Sequence, residues 1–366
     1  MNQQLYRIVF NTARGILMAV AETAGTQGKA GERRSVSVGR KAHRAGAALS
    51  VGLHRLQPLA VAMASAWLLI SIAPDARAQI VSDPGAPANQ RPTVLTTGSG
   101  NNIPLVNIQT PSAAGVSRNT YNQFDVTGAG AVLNNSRTNV QTQLGGWVQA
   151  NPWLATGSAK VILNEVNSSN PSQLRGAIEV AGQRAEVIIA NPSGIQVDGA
   201  GFINTSRATL TTGTPMVNGG NLDGYRVQTG TVRITGNGLD ASNTDSAAIL
   251  ARAIEVNAGI WAKQLSVTTG ANNISADAST TTATTGTGNK PSFALDVAAI
   301  GGMYAGKITL VGTEAGLGVR NAGVIQANAG DLVLSADGWL SNTGSLSASQ
   351  NLSAQTSGAI TNSGTV

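Results

Sequence analysis

The chain is 366 residues long, with a formal charge of +6, an isoelectric point near 10, no cysteine and only 11% charged residues. Ten of its 24 basic residues but three of its 18 acidic ones fall in residues 1–78, so that segment carries +7 and the rest holds 14 basic against 15 acidic groups. A nearly neutral body has no electrostatic footprint for phosphate backbones, which excludes nucleic acid as a partner, and without cysteine no disulfide can lock the chain in an oxidising compartment.

The first recognisable element is a leader. The apolar run Leu59–Ala73 (LAVAMASAWLLISIA) is preceded by Arg44 and Arg55 and followed by Pro74 and Ala76-Arg77-Ala78. This is the basic, apolar and small-x-small layout of a secretory signal, with cleavage expected between Ala78 and Gln79. As a helix the run rises ~22 Å, short of the ~30 Å hydrocarbon core, so an uncleaved anchor is the weaker reading. An ordinary signal has a handful of residues before its apolar core; here there are 58. The opening MNQQLYRIVFNTARGILMAVAE, through Asn2, Tyr6-Arg7, Phe10-Asn11, Arg14-Gly15 and Val20-Ala21-Glu22, resembles the extended signal-peptide region of very large Gram-negative autotransporters and two-partner exoproteins. Residues 23–57 form a longer, basic insertion than that pattern carries. The resemblance implies that 1–78 is removed and that the natural product is far longer than this chain.

After Gln79, a Pro/Asn/Gly-rich arm leads into short segments rich in Val and Ile and bounded by Gly, Asn or Asp. They are Ala159–Val166, Gly176–Val180, Ala185–Ala190, Thr231–Ile234, Ala253–Asn257, Gln264–Val267, Lys307–Val311 and Asp331–Ser335. Each reads as a strand. Nothing after residue 78 sustains a 3.6-residue apolar period, so the chain is expected to be all-β.

Repetition gives the architecture. The tracts Leu317–Gly323, Trp339–Gly344 and Ile360–Gly364 place Asn-x-Gly units at Asn321, Asn342 and Asn362, 21 and 20 residues apart. A fixed period near 20 with a short strand per unit reads as a right-handed parallel β-helix, because one coil cannot bury its apolar face alone and stacked coils share a core. A β-sandwich does not explain the spacing. The corner glycines are expected to supply positive φ, and the corner asparagines to tolerate left-handed backbone and to stack in hydrogen-bonded ladders. At ~20 residues per coil the upper bound is about 14 coils. The polar stretch Ser275–Asn289 is expected to leave the helix as a loop or hairpin, and the region 79–130, with Pro84, Pro87, Pro92 and Pro104, to cap its first coil. The domain reading is a removed leader (1–78), a capped β-helix (79–330) and the start of ~20-residue repeats (317–366), truncated at Val366.

Residues 119–204 carry the specific signature. Asn119-Thr-Tyr121-Asn122-Gln-Phe124-Asp125-Val126 is followed by Leu133-Asn134-Asn135-Ser136, Asn151-Pro152-Trp153-Leu154 and Asn164-Glu165-Val166. The set ends with Asn191-Pro192-Ser193-Gly194-Ile195 and Gly199-Ala-Gly201-Phe202-Ile203-Asn204. Their order and spacing resemble the haemagglutination-activity (secretion) domain of filamentous haemagglutinin and of contact-dependent growth-inhibition toxins, over roughly residues 90–330. In that family the two tetrads usually read Asn-Pro-Asn-Leu and Asn-Pro-Asn-Gly-Ile; here Trp153 and Ser193 stand at the third position. The resemblance implies that Asn151, Pro152, Leu154, Asn191, Pro192, Ser193, Gly194 and Ile195 serve secretion, through contact with the periplasmic domains of an outer-membrane barrel transporter. Asn-Pro followed by a small polar residue is also plain turn chemistry, so these residues equally read as corners of the coil. The implied route runs through the general secretion machinery and the transporter to the cell surface of a Gram-negative bacterium, with the distal part addressing a host or neighbouring cell.

Enzymatic readings are narrow. Both histidines, His43 and His54, lie in the leader, so the chain after it has neither His nor Cys. That excludes Ser-His-Asp triads, thiol nucleophiles and zinc held by His or Cys, and no metal or cofactor is implied. Carboxylate chemistry on a β-helix, as in polysaccharide-processing enzymes, is the alternative, with Glu165, Glu179, Glu186 and Asp198 as acid/base candidates. Only four tryptophans follow the leader, few for a sugar-cleaving cleft.

Overall fold

A computed structural model describes residues 79–98 and 102–366, together with the backbone of two leader strands, Tyr6–Asn11 and Ile16–Ala21, which pair antiparallel. The apolar run Leu59–Ala73, Ala76 and Ala78 lie outside the described residues. From Gln79 onward the chain is a parallel β-helix with three faces. Two 3-10 turns, Ala88–Gln90 and Pro152–Leu154, are the only helical elements among the described residues.

The first face stacks nine strands in parallel: Val116–Phe124, Val161–Val166, Ala185–Ala190, Thr205–Thr211, Ser246–Ala251, the second halves of Gly259–Thr269 and Gly302–Gly312, Leu332–Ala336 and Leu352–Thr356. The second face runs from Ala131–Asn135 through Ala177–Gly182, Ala200–Ile203, Leu239–Ala241 and the first halves of the two long strands to Val324–Ala327 and Ser345–Ala348. The third consists of eight short strands, from Ser172–Leu174 to Ile360–Asn362. At ~4.8 Å per step, nine rungs stand about 40 Å tall. The bound of about 14 coils is not reached, because many residues sit outside the coils.

The register shows where they went. Asn164 stacks on Ile189, Ile189 on Leu210 and Ile249 on Val267, so these coils take 25, 21 and 18 residues. Between Leu210 and Ile249, and between Val267 and Leu310, the steps lengthen to 39 and 43 residues. These two coils each throw out an excursion, Thr214–Val227 and Asn272–Ala283, and the excursions meet in one four-stranded antiparallel sheet; the first step, from Asn119 to Asn164, spans 45 residues and carries the hairpin Val140–Val148. The polar stretch from Ser275 does leave the helix as expected, but half of the sheet it joins comes from the unforeseen Thr214–Val227 hairpin.

That sheet explains why the strands of the first face read as continuous apolar runs rather than alternating ones. Ile162, Val187 and Ile189 point into the helix core. Their neighbours Leu163, Ile188 and Ala190 point outward and are buried beneath Tyr225, Val227 and Ile274 of the excursions. Tyr225 is fully buried there and its hydroxyl has no hydrogen-bond partner among the described residues. Burial also pushes the phenol well above its ordinary pKa, the neighbouring Glu186 carboxylate adding to the effect. Tyr225→Phe removes an unsatisfied buried group, and is expected to raise stability by about 1 kcal/mol in urea unfolding. A loss of stability would mean that the hydroxyl has a partner.

The cap is shorter than 79–130. Ile80–Ser82 runs antiparallel to Val116–Phe124, and Pro104–Asn107 of the hairpin Thr93–Asn107 lies on Ala131–Asn135. Val116–Phe124 and Ala131–Asn135 are already rungs, so the capping segments end near Asn107. Together they cover edges that would otherwise template another chain.

At the other end the asparagine ladder is present. One column of the third face reads Leu174, Val197, Ile234, Val256, Val297, Asn321, Asn342, Asn362. Asn321 Nδ2 donates to Asn342 Oδ1 at 2.7 Å, and Asn342 Nδ2 to Asn362 Oδ1 at 2.7 Å. The column changes from aliphatic to amide between Val297 and Asn321, and at that junction Asn321 Oδ1 is buried with no donor among the described residues. The expectation about the corner backbone is corrected. Gly323, Gly344 and Gly364 do not have positive φ, and neither do the three asparagines. Glycine is required because a Cβ at these sites would lie 2.0–2.1 Å from a carbonyl oxygen of the preceding coil.

Candidate functional site

Both tetrads fold as the same local device. Asn151 sits with extended backbone (φ −75°, ψ 117°) ahead of the 3-10 turn Pro152–Leu154, and its Oδ1 accepts the N–H of Trp153 at 3.0 Å. Its Nδ2 donates to the carbonyls of Ile108 (2.9 Å) and Asn134 (2.8 Å). In the second tetrad, Asn191 Oδ1 accepts the N–H of Ser193 at 2.9 Å, and Nδ2 donates to Asn170 O (2.9 Å) and Ser172 Oγ (3.0 Å). Each asparagine closes its own turn and also ties it to an earlier stretch of chain; Pro at the next position presets φ for the turn.

The remaining positions divide between core and surface. Leu154 and Ile195 are buried in the helix core, while Pro152 is exposed and Pro192 half-buried. Gly194 adopts φ +114°, which a residue with a Cβ tolerates poorly, and Gly194 N donates to Asn191 O at 3.0 Å. Ser193 Oγ donates to Ser168 O at 2.9 Å, so serine at this position keeps a local bond. Trp153 is 44% exposed, and its Nε1 donates to Thr93 Oγ1 at 3.3 Å.

The folded chain therefore buries both asparagines, at 3% and 0% exposure, and satisfies their amides internally. The two tetrads line separate clefts. Pro152 and Trp153 face Trp147 and Leu95, whereas Ser193, Gly194 and Ile195 face Arg233 and Lys290. Gln79 is exposed immediately before the capping strand, and its carbonyl accepts the N–H of Asp125 at 3.1 Å.

The carboxylate candidates do not assemble into an acid/base pair. Glu165 is bound by Arg118 at 2.8 Å, and Glu179 accepts the N–H groups of Gln143 (2.7 Å) and Leu144 (2.8 Å). Glu186 lies 3.8 Å from Arg207 and accepts from Thr209; burial raises its pKa against the pull of that arginine. Asp198 accepts the N–H of Asn237 at 2.9 Å. Among the described residues no three His, Cys, Asp or Glu groups are placed to hold a metal ion, and no helix is long and apolar enough to cross a membrane.

Sequence reasoning missed a set of buried asparagines. Asn119, Asn134, Asn135 and Asn164 are fully buried, and their amides bridge coils: Asn134 to Asn107 at 2.8 Å, Asn135 to the Ala159 and Gln183 carbonyls, and Asn164 to Ile188 O at 3.1 Å. They belong to the same signature run as the tetrads. The signal that could have found them is that each sits within an otherwise strand-forming segment, a place where asparagine survives only if its amide is used.

The class of protein that these observations define is a three-faced parallel β-helix with a strand-capped first coil and asparagine-closed corners. Residues 78–342 match the family described as the TPS secretion domain, and residues 1–51 match the Extended Signal Peptide of Type V secretion system. The chain belongs to the TPS secretion domain family, whose role is to target an exoprotein for two-partner secretion. It is 52% identical over 365 residues to Toxin CdiA of Yersinia pestis, covering all of this chain and 11% of that protein. It is 46% identical over 345 residues to tRNA nuclease CdiA-2 of Burkholderia pseudomallei (strain 1026b), covering 93% of this chain and 10% of that protein. The crystal structure of a filamentous hemagglutinin secretion domain superposes with a TM-score of 0.67 at 32% identity, covering 78% of this chain and 99% of that one. The chain thus spans about a tenth of the length of these curated relatives.

Proposed function

We propose that residues 79–330 are the export address of a long surface exoprotein, read by the periplasmic domains of a dedicated outer-membrane barrel transporter. Residues 1–78 act as an extended signal that delivers the chain through the general secretion machinery and is removed after Ala78. The segment from 317 begins the repeat region of the rod. The product is exposed at the surface of a Gram-negative cell, where distal sequence engages a host or neighbouring cell. This stretch itself works by targeting rather than catalysis; the activities named for the relatives belong to proteins roughly ten times its length.

Family membership across residues 78–342 is the observation that carries the reading. The buried tetrads suggest how the address works. Recognition precedes folding, while Asn151 and Asn191 are still accessible, and folding outside the cell then withdraws them. No nucleotide is available at the outer membrane, so burial can supply direction. Each coil closes over aliphatic side chains such as Val319 and Leu340, and each such side chain contributes about 1.5–3 kcal/mol.

Expression of the chain with its leader, with and without a cognate transporter, tests this. The expected result is release of a protease-resistant protein beginning at Gln79, only when the transporter is present. Release without the transporter, or retention in the periplasm with it, would overturn the reading.

A further inference from the structure

The cleft beside the second tetrad has a volume of about 480 Å³ and two walls of different origin. One is a column of the third face, in which Gln173, Gln196 and Arg233 follow one another on successive rungs, between buried aliphatic neighbours that point inward. The other is the stretch returning from the second excursion, which carries Lys290. Both walls are set in advance. Glu255, on the next rung, aims Arg233 by accepting its Nε at 2.8 Å and its Nη2 at 3.2 Å. The returning stretch is held by Arg252, whose Nη1 donates to Thr287 O (2.6 Å) and Asn289 O (3.3 Å), and by Lys290 Nζ donating to Ala315 O at 2.6 Å.

Charge decides the ligand class. Arg233, Arg252 and Lys290 line the cleft, and no carboxylate does. The two arginines arrive neutralised, Arg252 by Glu314 and Arg233 by Glu255. Lys290 does not, since its partner is a carbonyl and it forms no ion pair among the described residues. The cleft therefore keeps an uncompensated positive charge, with N–H groups of Lys290 Nζ and Arg233 Nη1 still unspent. A cation would be repelled here, and a neutral ligand would leave that charge unanswered. Among anions, a carboxylate presents two oxygens in one plane. The donors here come from two walls, with the Gln196 amide beside Arg233 and the Ser292 hydroxyl beside Lys290. A phosphoryl group, with three strong acceptor oxygens splayed about phosphorus, can meet both walls at once.

We propose that this cleft binds a phosphate monoester, held by Lys290 and Arg233, with Glu255 positioning the arginine. Such a group comes from a soluble phosphate or from a lipid head group. Gln196, Arg233 and Lys290 meet only in the folded helix, so the site belongs to the folded protein and stands apart from how the transporter reads the chain.

The test is calorimetric titration of the full chain with inorganic phosphate and with succinate, beside flotation on vesicles of phosphatidylcholine with and without phosphatidic acid. Phosphate is expected to bind saturably with a Kd of about 0.1–1 mM, at least about fivefold tighter than succinate, and to weaken as salt is raised. Lys290→Gln is expected to weaken binding at least about fivefold, and Lys290→Arg to retain it. Lys263→Gln, which removes an exposed cation outside the cleft, should leave it unchanged. The charge of the leader is common to every variant, so these differences isolate the cleft, and none of the readouts uses transporter-dependent release. Phosphate binding with equal flotation on both vesicles supports a soluble source; flotation that needs both phosphatidic acid and Lys290 supports the head group. Absence of saturable phosphate binding would overturn the proposal. So would succinate binding as tightly as phosphate, or equal losses from Lys290→Gln and Lys263→Gln. If Lys290→Gln fails to reach a protease-resistant fold, loss of phosphate binding by a folded Arg233→Gln serves in its place, and retention there overturns the site.

Discussion

Asn191→Ala is expected to destabilise the folded domain by about 2–4 kcal/mol and to cut transporter-dependent release by about tenfold or more, since ~1.4 kcal/mol is a factor of ten in an equilibrium. The side chain is fully buried and makes three hydrogen bonds, to Ser193 N, Asn170 O and Ser172 Oγ. Alanine removes the shared partner of three polar groups, of which Ser172 is buried and Ser193 half-buried. Unmade bonds of that kind cost more than made ones contribute. Ser193→Ala loses only the bond to Ser168 O and is expected to cost about 1 kcal/mol. Urea unfolding of refolded protein, read beside release into the medium, separates two roles for the tetrad. If it acts only as a turn, release falls in step with stability across Asn191→Ala, Ser193→Ala and Pro192→Ala. If the transporter reads it, Pro192→Ala lowers release with little change in stability. Full release of Asn191→Ala would remove the second tetrad from the export address.

How much of this was legible beforehand depended on side-chain type. All eight strands expected from Val/Ile content are strands, because an aliphatic run such as AEVIIA has few other ways to bury both sides. Strands built from hydroxyl and amide residues escaped, among them Val116–Phe124 (VSRNTYNQF) and Thr205–Thr211 (TSRATLT). Several of their polar side chains are buried and find partners, some of them in neighbouring coils, as with Tyr121, whose hydroxyl donates to Asn164 Oδ1 at 2.9 Å. Composition does not reveal a partner some forty residues away. The 20–21 residue spacing was visible only from Leu317 onward, since upstream coils are interrupted by excursions of differing length. The corner glycines were found for the wrong reason: their period shows in the sequence, whereas the carbonyl that would meet a Cβ belongs to the coil below. The tetrads were legible as turns by their Asn-Pro chemistry. That their asparagines point inward was not, because a turn residue faces core or solvent according to what the rest of the chain packs against it.

The second excursion is anchored at its return by a buried guanidinium, and the removal of that anchor is expected to have the other large effect. Arg252, 6% exposed, grips Glu314 through two bonds of 3.0 and 2.8 Å and donates to the carbonyls of Thr287 (2.6 Å) and Asn289 (3.3 Å). One guanidinium thus joins the end of a first-face rung, the returning excursion and the start of the next coil, using the planar fork that lysine lacks. Arg252→Ala takes the charged donor from a partly buried carboxylate and from two carbonyls, and is expected to cost about 3 kcal/mol and to open Thr285–Asn289 to proteinase K. The loss carries a pH signature. The hydrogen bond from Arg252 holds the Glu314 carboxyl below its usual 4.5, against burial, which raises it; the backbone at Ala271 and nearby Lys290 pull the same way as the arginine. A folded-state pKa lower than the unfolded one contributes stability that is present above the unfolded value and lost as pH falls through the folded value. The gap between wild type and Arg252→Ala in urea midpoint should therefore be widest near neutrality and narrow below about pH 4. Arg252→Lys keeps the charge but not the fork, so it should recover the pH dependence while remaining open to the protease. A gap that stays constant with pH would mean that Arg252 anchors the excursion through the two carbonyls alone, and that Glu314 is a bystander.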